Sequence, residues 1–201
     1  MMQMSRSKCR SGLLIAFHLA WLVAAGQYAF AAKTESHIAI DTKFGTIEIQ
    51  LLPYVAPNHV KHFIHLTKLG FYDGTLFHRI IPGFMIQGGD PNTLGKNKST
   101  YGQGGPGYSI KAEFNNQPHI RGTVSMARGQ DIHSAGSQFF IVTKSSRFLD
   151  KKYTVFGRVT KGMHVVDKIV SQKRDRNDLP KERIEMRVRV MDDSVLDKIR
   201  D

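Results

Sequence analysis

The stretch that most constrains the fold is Phe77-His78-Arg79-Ile80-Ile81-Pro82-Gly83-Phe84-Met85-Ile86-Gln87-Gly88-Gly89-Asp90-Pro91. Two short apolar runs flank Pro82-Gly83, a dipeptide that marks a turn, so the stretch reads as a β-hairpin. Pleating sends Met85 and Gln87 to one face and Ile86 to the other. With Arg79 on the face of Gln87, one surface would carry a guanidinium, an aromatic ring, a thioether and a carboxamide. Such a surface suits an apolar ligand with a few polar atoms. The plainer reading is a buried hairpin with a solvent-facing arginine.

Period-2 alternation recurs along the chain. Residues 37–42 and 46–51 alternate apolar and polar side chains around Phe44-Gly45, an opening hairpin. Further strands are expected at 108–114, 122–128, 137–142, 153–159 and 184–190, and a helix at 163–170. Residues 192–201 read as a short helix or a frayed end. About eight strands with one early and one late helix predict a mainly β fold, a closed eight-stranded antiparallel barrel capped by two α-helices.

The early helix starts at Pro57 and stops at Leu69-Gly70, with Val60, Phe63, Ile64 and Leu66 at helical spacing. It carries His59, His62 and His65. A metal site is the sharper reading, but i to i+6 turns about 240° around a helix, so three rings cannot converge. They are read as exposed or rim histidines. Residues 92–107 form a long glycine-rich loop. It lacks the feeding strand and following helix of a nucleotide cradle and reads as a structured surface loop. Asp131, His133, Ser134 and Ser137 lie too close in sequence for a hydrolase triad, and no G-x-S-x-G elbow is present.

Residues 1–31 carry Arg6, Lys8 and Arg10, an apolar run from Gly12 to Ala25, and Ala29-Phe30-Ala31 as a small-x-small cleavage pattern. The run is short for a membrane span of about 20 residues. It is expected to be a cleaved secretory signal, with an uncleaved inner-membrane anchor as the alternative. Cys9 is the only cysteine and lies in that segment, so residues 32–201 have no thiol for disulfides, thiolate metal sites or covalent catalysis. The expected compartment is a bacterial periplasm or the extracellular space. The chain has 29 Lys+Arg against 17 Asp+Glu, and losing three basic residues with the signal leaves +9. Without clustered basic runs this charge reads as a solvated surface rather than a nucleic-acid or membrane footprint.

The order of residues in 77–91 closely resembles the signature of the cyclophilin family of peptidyl-prolyl cis-trans isomerases. The resemblance extends through Gly122-Thr123-Val124-Ser125-Met126-Ala127, Gly136-Ser137-Gln138-Phe139-Phe140-Ile141, Phe148-Leu149-Asp150 and Val155-Phe156-Gly157-Arg158-Val159. It implies one isomerase domain over residues 32–201 that accelerates X-Pro rotation in flexible polypeptides and assists the folding of exported proteins. It also implies Arg79 as catalytic residue and Phe84, Met85, Phe140 and Leu149 as proline pocket. Gln87 and Gln138 would contact the substrate backbone. Ala127, Arg128 and Gly129 would form a backbone shelf, and Gly102 a rim. Phe148 and Tyr153 close the pocket.

Neither metal nor other cofactor is required, and the expected partner is a proline-containing polypeptide met by a monomer. A non-catalytic proline-binding or chaperone module is the rival. Phe148, Tyr153 and Arg128 stand where the eukaryotic pattern has tryptophan, histidine and asparagine. Phenylalanine lacks the indole N–H that tryptophan offers cyclosporin-type ligands, so weak cyclosporin binding is expected.

Overall fold

The computed structural model describes residues 37–191. The expected signal segment and the 192–201 tail lie outside them. Eight strands form one antiparallel sheet: β1 His37–Thr42, β2 Gly45–Leu51, β3 Arg79–Ile81, β4 Met85–Gly88, β5 Thr123–Met126, β6 Phe139–Val142, β7 Val155–Lys161 and β8 Arg187–Val190. Two helices, α1 Pro57–Lys68 and α2 Met163–Val170, complete it.

The opening hairpin pairs Ile38 with Ile49 and Ile40 with Ile47. All four isoleucines are buried, because period-2 alternation puts them on one face. Helix α1 adds Val60, Phe63 and Leu66 to the core, and α2 adds Val165, Val166, Ile169 and Val170. At its centre Phe63 stacks on Tyr72 at 4.8 Å and meets Phe139 edge-on at 5.4 Å.

The strand order is β3-β4-β6-β5-β7-β2-β1-β8, and β3 and β8 do not pair with each other. The expected closed barrel is therefore corrected to an open, curled sheet. Its seam is crossed by short contacts, among them Phe77 N–H to Ile184 O and Gly74 N–H to Met186 O, both 2.9 Å, and Val188 N–H to Asp73 Oδ1 at 3.2 Å. The charged 171–183 segment takes the edge position that closure would need, since Ile80 N–H donates to Asp178 O at 2.9 Å. An edge covered by a loop does not need a closing strand.

Two other expectations change. Residues 108–114 form no strand; Ile110 makes a single bridge to Ala135. The polar residues around it are engaged elsewhere, and Glu113 caps α1. Ala56, at the helix N-cap, has no side chain to satisfy the first amides. Glu113 accepts from Asn58 N–H at 3.1 Å and His59 N–H at 2.9 Å, and meets His59 Nδ1 at 2.6 Å. His59 is consequently buried, not exposed, His62 is buried against Gly136 O at 2.9 Å and the Tyr108 ring, and only His65 of the three faces solvent. Among the described residues no cluster suits a metal ion.

Candidate functional site

Register across four strands builds the site. Ile80, Ile86, Ile141 and Val124 are mutual partners on β3, β4, β6 and β5, and all four enter the main core. The neighbouring row, Arg79, Gln87, Phe140 and Ser125, must then face the other way, as must Ile81, Met85 and Val142. One face of the sheet fills the core. The other presents a guanidinium, a carboxamide, a phenyl ring and a thioether in adjoining rows.

Met85, Phe140, Val142 and Leu149 form an apolar cluster separate from the main core, with Ile81, Phe84, Ala127 and Tyr153 packed against it. Phe148 is largely exposed and lies 5.6 Å from the Phe84 ring. The Tyr153 ring meets Phe140 edge-on at 5.8 Å. Along the rim runs an amide relay. Arg79 Nη1 makes a long contact of 3.5 Å to Gln87 Oε1, Gln87 Nε2 donates to Gln138 Oε1 at 2.9 Å, and Gln138 Nε2 donates to Gly104 O at 2.8 Å.

Beyond the relay opens a cleft of about 530 Å³ lined by Gln87, Gly102, Gly104, Ala127, Arg128, Gly129 and Gln138. Of the thirteen positions singled out in the sequence, Gln87, Gly102, Ala127, Arg128, Gly129 and Gln138 line this cleft, and Phe84, Met85, Phe140, Phe148, Leu149 and Tyr153 form or border the apolar cluster; Arg79 lines neither and reaches the rim through Gln87. Arg79 lines a second cavity, of about 450 Å³, with His78, Lys98, Tyr101 and Leu179.

The glycine-rich loop is anchored by Asp90. This buried carboxylate accepts from Asn92 N–H at 2.8 Å and from Gly102 N–H, folding the loop back on the end of β4. Gly104 crosses so close that a Cβ there would lie 2.1 Å from Asp90 Oδ1.

The layer behind the pocket was not foreseen. His119 is fully buried and stacks on Phe140 at 6.0 Å, with an angle of 17° between the rings. Its Nδ1 lies 3.1 Å from Asp150 Oδ1 and its Nε2 lies 3.1 Å from Ser125 Oγ. Burial holds the imidazole pKa below the usual histidine value, against the pull of Asp150. Burial tends to raise Asp150, but the His119 amide, Arg147 and the His119 ring together lower it to about 2. Ser125 also reaches Thr154 O at 2.9 Å and has no exposure, so this Ser-His-Asp set offers no accessible nucleophile. Asp131, His133 and Ser134 instead staple a turn, with Ser134 Oγ donating to Asp131 O and accepting from Gly129 N–H. Of the His119 layer, Ser125 and Asp150 lie in motifs singled out in the sequence, but nothing in the sequence pointed to His119.

The fold and site define a class: a curled β-sheet protein with an apolar pocket, an amide-lined rim and an adjoining arginine, suited to an apolar ligand with a few polar atoms. Residues 37–190 match the model of the cyclophilin type peptidyl-prolyl cis-trans isomerase family. A probable peptidyl-prolyl cis-trans isomerase of Brucella suis is 43% identical over 165 residues, covering 80% of this chain and 84% of the relative. Peptidyl-prolyl cis-trans isomerase A of Dickeya dadantii is 46% identical over 146 residues, covering 70% and 74%. A crystal structure of a Cryptosporidium parvum cyclophilin type isomerase, determined in the presence of the dipeptide Ala-Pro, superposes with a TM-score of 0.71. It is 29% identical and covers 78% of this chain and 99% of that one. The chain belongs to the cyclophilin-type peptidyl-prolyl cis-trans isomerases and is an isomerase of X-Pro peptide bonds.

Proposed function

We propose that Arg79 is the group that lowers the rotation barrier, while Phe84, Met85, Phe140 and Leu149 grip the proline ring. Amide resonance gives the C–N bond a barrier of about 18–20 kcal/mol. At X-Pro the two isomers differ by only about 0.5–1 kcal/mol, yet exchange in tens to hundreds of seconds. No bond breaks. The catalyst must favour the twisted state, in which the prolyl nitrogen becomes pyramidal and gains a lone pair.

A guanidinium is charged at every working pH and donates to a lone pair that exists only in that state, which is differential transition-state binding. One charge-assisted hydrogen bond supplies about 1.5–3 kcal/mol. The remaining acceleration falls to geometry and to exclusion of water, which stabilises the planar amide dipole. Gln87, Gln138 and the backbone at Ala127, Arg128 and Gly129 hold the peptide, Gly102 forms its rim, and Phe148 and Tyr153 close the pocket.

The observation that carries this reading is the row Arg79–Gln87–Phe140, set by strand register beside an apolar cluster that the core does not need. Its test is isomerisation by wild type and Arg79→Ala; an unchanged rate in the variant rejects it. The clients are X-Pro segments of unfolded or flexible exported proteins, and the basic and apolar character of residues 1–31 supports a periplasmic location. Fractionation with N-terminal sequencing of the mature protein tests the location, and cytoplasmic recovery of the full chain rejects it.

A further inference from the structure

Two charged segments far apart in the chain are not used by the isomerase site, and the structure brings them together. Lys96, Lys98 and Tyr101 come from the loop after β4. Residues 179–183 come from the segment that covers the β3 edge. Together with Leu76 and Phe77 they line a cavity of about 240 Å³. Its floor is apolar: Leu76, Phe77 and Pro180 are buried and Leu179 is partly so.

Its mouth is cationic. Lys96, Lys98, Lys181 and Arg183 are exposed, and among the described residues none of the three lysines has a carboxylate partner. Arg183 is held at 3.1 Å by Glu185, and Glu182, the single carboxylate in the lining, is turned to Lys43 at 2.8 Å. Both walls are fixed in advance. Tyr101 donates to Gly95 O at 2.7 Å on one side. On the other, Asp175 N–H bonds Leu179 O at 2.9 Å and Lys181 N–H bonds Lys173 O at 2.8 Å.

The cavity shares a wall with the one at Arg79. Lys98, Tyr101 and Leu179 also line the cavity that contains Arg79 and Gln87. The one carboxylate there, Asp175, is occupied by the N–H groups of Asn177 and Leu179 at 2.8 and 3.0 Å. A polypeptide whose X-Pro bond lies at Arg79 thus has a path toward unpaired cations over an apolar floor.

We propose that this groove is an extended client subsite for a carboxylate-rich stretch of the same polypeptide, so that the enzyme prefers X-Pro bonds flanked by acidic residues. The inference rests on the isomerase reading of the Arg79 site. Extended backbone satisfies the continuity with that site, Asp and Glu side chains answer the lysines, and their methylenes suit the floor. Each solvated pair is weak, so the preference comes from several acting together and is screened by salt.

The test is NMR exchange spectroscopy on X-Pro peptides carrying a run of glutamates or glutamines, set about two to six residues to either side of the proline. In low salt the glutamate peptides on one side should show a KM about tenfold lower than their glutamine counterparts, with kcat unchanged. The advantage should fade in about 0.5 M salt. The double variant Lys96→Gln, Lys181→Gln, which leaves the lining of the Arg79 cavity untouched, should lose most of the preference and retain turnover of the glutamine peptides. Equal KM values in wild type, or a preference undiminished in the double variant, overturn the proposal. So does binding of anionic phosphatidylglycerol vesicles through these lysines without any preference among peptides. Failure to turn over glutamine peptides would instead strike the isomerase reading, which keeps the two separable.

Discussion

The Arg128 guanidinium lies 4.6 Å from the centre of the Tyr153 ring, and its Nε and Nη2 donate to Lys152 O at 3.2 and 3.1 Å. Two of the three positions that depart from the eukaryotic pattern are therefore one unit. The cation holds the ring, and the ring meets Phe140 edge-on. Arg128→Ala and Tyr153→Ala should each raise KM for an X-Pro peptide severalfold. A double-mutant cycle should give a coupling of about 0.5–1 kcal/mol. Additive effects would show that the contact contributes nothing.

Arg79→Ala should lower kcat/KM about 10- to 100-fold, the equivalent of one charge-assisted hydrogen bond. Arg79 is exposed and makes only the long contact to Gln87, so thermal stability should change by less than about 0.5 kcal/mol. A loss confined to KM would assign the residue to binding alone.

Acid should destabilise the fold through its buried histidines. Burial holds His59 and His119 below the ordinary histidine pKa of 6.5. As pH falls through 6.5, the unfolded chain takes up protons that the folded chain refuses, so stability falls until the lower folded pKa values are reached. Asp150 adds a second window, because its contribution is complete above the ordinary carboxylate value of 3.8 and is lost as pH falls toward about 2. Denaturant melts from pH 7.5 to 5 should show the first decline, and a His59→Gln, His119→Gln variant should make it shallower, with His62 and His78, also lowered by burial, supplying the rest. An unchanged slope would contradict the assignment.

Phe148→Trp should tighten cyclosporin binding by about two- to tenfold, the yield of one neutral hydrogen bond. The side chain is 64% exposed, so an indole fits without repacking and turnover of X-Pro peptides should persist. Isothermal titration of the two proteins decides it; equal affinities would mean that the missing donor is not what limits binding.

Gly104→Ala should cost about 1–3 kcal/mol and raise KM, since its Cβ would collide with the buried Asp90 carboxylate and move the Gly104 carbonyl off Gln138. Gly105→Ala is the control, because a Cβ there meets nothing within 4 Å. Equal melting temperatures for both variants would reject the close approach as the reason for glycine.

Sequence alone determined the parts governed by local pattern. Alternation at Met85-Ile86-Gln87 assigned those side chains to the correct faces, because a pleated strand has no other option, while the place of Arg79 beside Gln87 waited on the register. Pro57 and Leu69-Gly70 bounded α1, and ordered motifs identified the family before any contact was known. Tertiary structure decided what depends on distant partners. Whether the sheet closes depended on the 171–183 segment reaching the β3 edge at Ile80. Whether His59 faced water depended on Glu113, 54 residues away, supplying the cap that Ala56 lacks. The His119 layer joins residues 6 and 31 positions apart, and no local period encodes such a meeting. Periodicity reports which way a side chain points relative to its own strand or helix. What lies in that direction is set only when the chain has folded.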